Sequence, residues 1–285
     1  MINPLSIEEL RSVYDMISLD GKVALVTGAG GGIGRSTAAA FAELGAKVAL
    51  MDIPAKEEQL KANVESIKKR WGAEAMYVLG DVSKEESVNE FIQKVVDTWG
   101  TIDIVHNNAG IGSADGANVV MSEFDRGYAI NMRGSFMVAR TCARIMKEHG
   151  HGGSIISTAS MSGVIINTGP VYASTKAGVR HFTNALAVEY AKDGIRCNSV
   201  NYGYICSGMH ESFGDPNKDL QKVYGFMGAA TPMGRMGDLS EAVGAVVYLA
   251  SDLASFHTGT SMIIDGGVCI DARMKHTPFE EEDKK

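Results

Sequence analysis

Short runs of apolar and β-branched residues recur along the chain at 22–27, 46–51, 75–79, 102–106, 154–157, 195–201 and 262–264. Between them, apolar residues return every three or four positions at 33–44, 55–71, 85–99, 122–148, 171–193 and 239–251. A near-continuous apolar run suits a strand buried on both faces, and the longer period marks a helix with one buried stripe. Strands and helices in strict alternation predict a parallel sheet with helices on both faces. Right-handed crossovers make it a seven-stranded, doubly wound sheet of the Rossmann type, in one α/β domain over residues 22–270.

Two terminal pieces fall outside this rhythm. In residues 1–21, Ser6 and Glu9 have capping-box spacing, Leu5 and Leu10 that of a hydrophobic staple, and Ile7, Leu10, Tyr14 and Ile17 share a helical face. One short helix is expected there, packed on its own subunit or a neighbour. Its polar face carries Glu8, Glu9 and Asp15 against Arg11, which does not suit a membrane surface. Residues 271–285 end in an acidic and basic run and read as a charged, frayed tail.

Composition narrows the functional classes. Of 285 residues, 45% are hydrophobic and 21% charged, which excludes a disordered chain, a collagen and a coiled coil. The net charge of −7, with no basic cluster, argues against nucleic acid as a partner. Cys142, Cys197, Cys206 and Cys269 form no C-x-x-C and fit no zinc spacing, so neither a metal nor a disulfide framework is expected. No secretory signal and no membrane-length apolar run is visible, and the expected compartment is the cytoplasm.

The first strand runs into Thr27-Gly28-Ala29-Gly30-Gly31-Gly32-Ile33-Gly34, and a helix follows. G-x-G-x-x-G does not fit, because Ile33 occupies its third glycine; T-G-x-x-x-G-x-G does, with Gly28, Gly32 and Gly34. Such glycines let the backbone approach a pyrophosphate and aim a helix N-terminus at it. The second strand ends at Asp52, 18 residues after Gly34, where a carboxylate accepts bonds from an adenosine 2′-hydroxyl and repels a 2′-phosphate. This favours NAD(H) over NADP(H); the structural alternative for Asp52 is an N-cap. Asp81, with Val82, closes the third strand where an acid can meet the adenine amino group. Asn107-Asn108-Ala109-Gly110 ends the fourth, at the ligand crevice.

Tyr172 and Lys176 lie four apart on a helix, hence on one face. A free tyrosine has a pKa near ~10. An adjacent ammonium and an oxidised nicotinamide would both stabilise its phenolate and make it a usable acid/base.

T-G-x-x-x-G-x-G, Asn107-Asn108-Ala109-Gly110, Asn131, Ser160 and Tyr172-x-x-x-Lys176 occur in this order, followed by Pro232-Met233-Gly234-Arg235 and Asp265-Gly266-Gly267. The set resembles the short-chain dehydrogenase/reductase family over roughly residues 20–268. The resemblance implies that Tyr172 exchanges the proton, that Lys176 lowers its pKa and binds the nicotinamide ribose, and that Ser160 holds the substrate oxygen. It makes Asn131 the holder of a water linked to Lys176, and Ile33, Asn108, Ile205 and Ser207 cofactor contacts. It also implies a homodimer or homotetramer. Two features depart from the family. Ser160 lies one residue closer to the tyrosine than usual, leaving Ser157 and Ser162 as rivals and Ala159 at the strict spacing. Tyr202 stands where a proline usually precedes the glycine, and is expected to change how that loop meets the nicotinamide.

Substrate choice should rest on Met161, Val164, Ile165 and Ile166, and on segment 204–231 with Ile205, Met209, Phe213, Tyr224, Phe226 and Met227. No arginine lies between 204 and 230, against an anionic acyl-carrier substrate. Apolar, Met-rich walls suit a bulky apolar ketone or secondary alcohol. The chain is similar to bacterial hydroxysteroid members of the family, including those with an N-terminal segment that reduce a side-chain ketone. A hydroxysteroid dehydrogenase is therefore the leading expectation, a polyol or sugar dehydrogenase the alternative, and a non-catalytic NAD-sensing regulator the alternative of another class.

Overall fold

The computed structural model describes residues 5–112, 119–209 and 219–271. Its elements, in chain order, are α1 (Val13–Ile17), β1 (Val23–Thr27), α2 (Gly32–Glu43), β2 (Lys47–Asp52), α3 (Glu57–Trp71), β3 (Ala75–Leu79), α4 (Glu85–Trp99) and β4 (Ile104–Asn107). Then come α5 (Met121–Gly127), a π-helical stretch Tyr128–Gly134, α6 (Ser135–His149), β5 (Gly153–Ser160), α7 (Pro170–Tyr190), β6 (Ile195–Tyr202), α8 (Leu220–Ala230), α9 (Leu239–Ala250) and β7 (Ser261–Ile264).

The seven strands form one parallel sheet in the order β3-β2-β1-β4-β5-β6-β7. The expected architecture is the observed one. Strand order reverses between β1 and β4, and at such a switch point the loops at the carboxyl ends diverge and leave a crevice. β1 is wholly buried, as its run Val-Ala-Leu-Val-Thr requires. Alternate residues of the central strands feed two cores. Ala24, Val26, Val48 and Leu50 meet Phe41 of α2 and Leu249 of α9. Val23, Leu25, Ala49 and Met51 share the other face with Phe91 of α4 and Met146 of α6.

Three elements differ from the sequence pattern. The expected N-terminal helix is two pieces: a single 3-10 turn at Ile7–Glu9, then α1. Leu10 is extended between them, because Ser12 caps a new helix by accepting from the Tyr14 amide at 3.2 Å. The shared apolar face is mostly exposed, Ile7 at 83% and Tyr14 at 86%, with Ile17 half-buried. The segment is tied down at Leu19, buried and bonded to the Leu44 carbonyl at 2.8 Å, and by Arg11 on Asp252 at 2.7 Å. The long helix over 122–148 is α5 and α6 joined through the π-helical stretch. Segment 204–231, which carried no element in the sequence pattern, contains α8, capped by Asp219. Phe213 and the expected tail, apart from Asp271, lie outside the described residues.

Candidate active site and dinucleotide cradle

β5 runs three residues past its predicted end, so Ser160 is its last residue and stands at the crevice. Its Oγ accepts from the Ser162 amide at 3.1 Å and donates to Ser162 Oγ at 3.2 Å, and it is hydrogen-bonded to the Tyr172 hydroxyl. That bond sets Ser160 beside the tyrosine. Ser157 is fully buried with an unpartnered hydroxyl, and Ser162 supports Ser160 from behind. Gly169 and Pro170 start α7, the proline at a first-turn position where no amide is needed. This start places Tyr172 in the first turn and Lys176 one turn on.

The Lys176 ammonium lies 5.6 Å from the centre of the Tyr172 ring and donates to the Thr158 carbonyl at 2.9 Å. Burial brings Lys176 down to about 8. Tyr172 departs from expectation. Burial raises its pKa, and the Ser160 hydrogen bond acts to lower it. Both groups lie in the same dry pocket, which penalises the charged form of each.

Asn131 sits in the π-helical stretch, whose wide turn carries it inward. Its amide clasps the backbone of Ile111: Oδ1 accepts from the Ile111 amide at 2.8 Å and Nδ2 donates to the Ile111 carbonyl at 2.8 Å. Nδ2 also faces Thr175 Oγ1 at 3.5 Å. The side chain is thus committed to the loop after β4. Gly110 packs between this amide and the lysine; a Cβ there would lie 3.2 Å from Asn131 Oδ1 and 3.4 Å from Lys176 Nζ.

The glycine turn faces this group across the crevice. Gly28 and Gly32 have φ of +68° and +51°. A Cβ on Gly28 would lie 3.0 Å from Asn108 Nδ2, and one on Gly32 would lie 2.8 Å from the Ser207 carbonyl. A Cβ on Gly34 would overlap the Gly28 carbonyl. The bare backbone at the amino end of α2, including Ile33, is therefore a close-approach surface, and its first-turn amides have no partner within the helix. It has the shape and polarity to hold a pyrophosphate.

Asp52 lies beside this turn. Its carboxylate accepts from the Gly30 amide at 2.9 Å and the Ile53 amide at 2.8 Å. It is not the N-cap of the next helix, since Ile53 and Lys56 occupy the cap positions there. Asp81 accepts from the Ser83 amide at 2.9 Å and hydroxyl at 2.7 Å. Burial would raise its pKa, and those bonds with Lys84 nearby outweigh it, leaving the group below its ordinary value. The Val82 carbonyl is covered by Gly134.

Ile205 is buried and bridges to Gly237, which brings Ser207 onto Gly32. Tyr202, expected near the nicotinamide, points away. It is buried against α9, and its hydroxyl donates to the Ala242 carbonyl at 3.1 Å. Val200 faces the same core, and Tyr202 follows its phase along β6.

Three further residues near the cradle were given no role of their own from the sequence. Thr27 Oγ1 accepts from the Asn108 and Ala109 amides at 2.9 and 3.0 Å, tying β1 to the end of β4. His106 and Thr158 lie beneath it. Thr27 opens the glycine motif and His106 ends an apolar run, whereas Thr158 lies one residue past its run and carried no signal.

The family model described as enoyl-(acyl carrier protein) reductase matches residues 28–269. An L-rhamnose 1-dehydrogenase (NAD(P)(+)) of Sphingomonas sp. strain SKA58 is 35% identical, over 88% of this chain and 98% of its own. A sorbose reductase of Candida albicans is 36% identical, over 90% of each chain. The crystal structure of a short-chain type dehydrogenase/reductase from Mycobacterium marinum superposes with a TM-score of 0.84 at 39% identity, over 90% of this chain and 99% of that one. The chain belongs to the short-chain dehydrogenase/reductase family, and it is an oxidoreductase of alcohols and carbonyls with a nicotinamide dinucleotide as cofactor.

Proposed function

We propose that the protein is an NAD(H)-dependent dehydrogenase that interconverts a secondary alcohol of a sugar or polyol with the corresponding carbonyl. The observation that carries the chemistry is the Ser160–Tyr172–Lys176 cluster at the crevice opposite the glycine turn. The dinucleotide, when bound, supplies the hydride acceptor or donor. On the protein's side, Tyr172 takes the hydroxyl proton in oxidation and returns it in reduction. Ser160 donates to the substrate oxygen and steadies its developing charge. Lys176, buried beside the ring, favours the phenolate once the site is filled and reaches for the ribose. Asn131 fixes the loop that borders both.

The hydroxysteroid expectation is not what these relatives support. The two named enzymes act on a rhamnose and a sorbose, which fits the sugar or polyol alternative. NAD(H) is inferred from Asp52, whose charge beside the turn disfavours a 2′-phosphate. A homo-oligomer is inferred from the family. A panel of ketoses, polyols and hydroxysteroids, each with NAD(H) and NADP(H), tests the reading. Turnover of steroids and of no polyol would overturn the substrate class, and a preference for NADP(H) would overturn the role of Asp52.

A further inference from the structure

His106 lies wholly inside the sheet, and nothing in the chemistry above uses it. On β4 it is paired in register with Val26 of β1 and Ile156 of β5. Its Nε2 is 3.0 Å from Thr158 Oγ1, and that hydroxyl is 3.2 Å from Asn108 Oδ1. The direction of these bonds follows from counting protons. Asn108 Nδ2 faces the Thr27 carbonyl at 3.1 Å and the Gly28 carbonyl at 3.4 Å, both of which can only accept. Asn108 therefore turns its oxygen to Thr158, and Thr158 gives its single proton there. The Thr158 oxygen must then accept, so His106 carries a proton on Nε2. Burial keeps the ring neutral, holding the imidazole down at about 3, and Nδ1 has no partner among the described residues.

The result is an ordered chain from His106 through Thr158 and Asn108 to Gly28. Asn108 Nδ2 fills the space that Gly28 and Gly34 leave open, so the chain ends in the floor of the glycine turn. Thr158 also presents its backbone carbonyl to Lys176. One residue thus touches both sides of the crevice.

We propose that His106 and Thr158 are positioning residues for the dinucleotide, the His106–Thr158–Asn108 chain setting the shape of the glycine turn. This rests on the glycine turn being the dinucleotide's seat.

The test is NADH affinity of the full-length protein, read by cofactor fluorescence, with melting temperature followed in parallel. Wild type is measured first, against NADH and NADPH. If it binds neither, the seat itself is wrong and the proposal falls with it. Thr158→Val keeps the shape and removes the hydroxyl; NADH binding should weaken by about tenfold, the scale of one buried hydrogen bond. Thr158→Ser should stay within about twofold of wild type. His106→Leu should weaken binding, and His106→Gln, whose amide nitrogen can stand for Nε2, should recover most of it. The double variant carrying His106→Leu and Thr158→Val should bind no more weakly than Thr158→Val alone, since both substitutions break one chain. In each case the KM for the dinucleotide should move more than kcat. Thr158→Val binding NADH as wild type does, or Thr158→Ser binding no better than Thr158→Val, would overturn the proposal. Should the valine variant not fold, the two His106 variants decide: equal NADH affinity in His106→Leu and His106→Gln overturns it.

Discussion

Residue by residue, spacing along the sequence was enough to name the groups that line the candidate crevice. Gly28, Gly32, Gly34, Asp52, Tyr172 and Lys176 each sit where a local motif placed them, because a turn or a single helical face brings their neighbours together. What spacing could not supply was environment. The acidity of Tyr172 depends on how dry its pocket is, and the separation of 50 positions from Asn108 to Thr158 is closed only by strand register, as is the gap from His106. Tyr172→Phe should leave NADH affinity nearly intact and lower turnover by about a hundred- to ten-thousandfold, measured at saturating cofactor. His106 also gives the molecule a pH signature. Its folded pKa of about 3 lies below the ordinary 6.5, so between these values the unfolded chain binds more protons. The stability it contributes is present above pH 6.5 and is lost as pH falls toward 3, with a slope approaching about 1.4 kcal/mol per pH unit. Denaturant titrations across that range should show a shallower acid loss for His106→Gln than for wild type.

At the level of elements, the strands and long helices were legible because burial on two faces and burial on one stripe leave different periods. The exceptions have local causes. Ser12 restarts a helix that the apolar face of residues 7–17 would have continued. The π-helical stretch keeps a helical period while shifting its phase, so a pattern reading runs straight through it. The amino end of α2 makes the sharpest demand on the sequence. Gly32→Ala would need a side chain at φ of +51° and against the Ser207 carbonyl. It should weaken NADH binding by more than about tenfold while the sheet keeps its circular dichroism signature. Gly72, also at positive φ, has open space around it. Gly72→Ala should therefore cost only the backbone strain, about 1–2 kcal/mol in denaturant unfolding, with unchanged NADH affinity.

For the molecule as a whole, a doubly wound parallel sheet was readable from alternation and handedness, and its strand order puts the candidate groups at the carboxyl ends of the strands. The initial segment belongs to the opposite end. Leu19 bonds to Leu44, just ahead of β2, and the Arg11–Asp252 pair is half exposed on both sides, worth under about 1 kcal/mol. Removal of residues 1–11 should therefore shift the melting temperature by only a few degrees and leave the KM for cofactor and substrate unaltered, whereas Leu19→Ala should cost about 2–5 kcal/mol in denaturant unfolding. That separation has a practical use. A dye or affinity handle joined ahead of Ser12 would ride on the far rim of the sheet from the catalytic tyrosine, reporting tumbling or holding the enzyme on a support with its reacting face turned to solution.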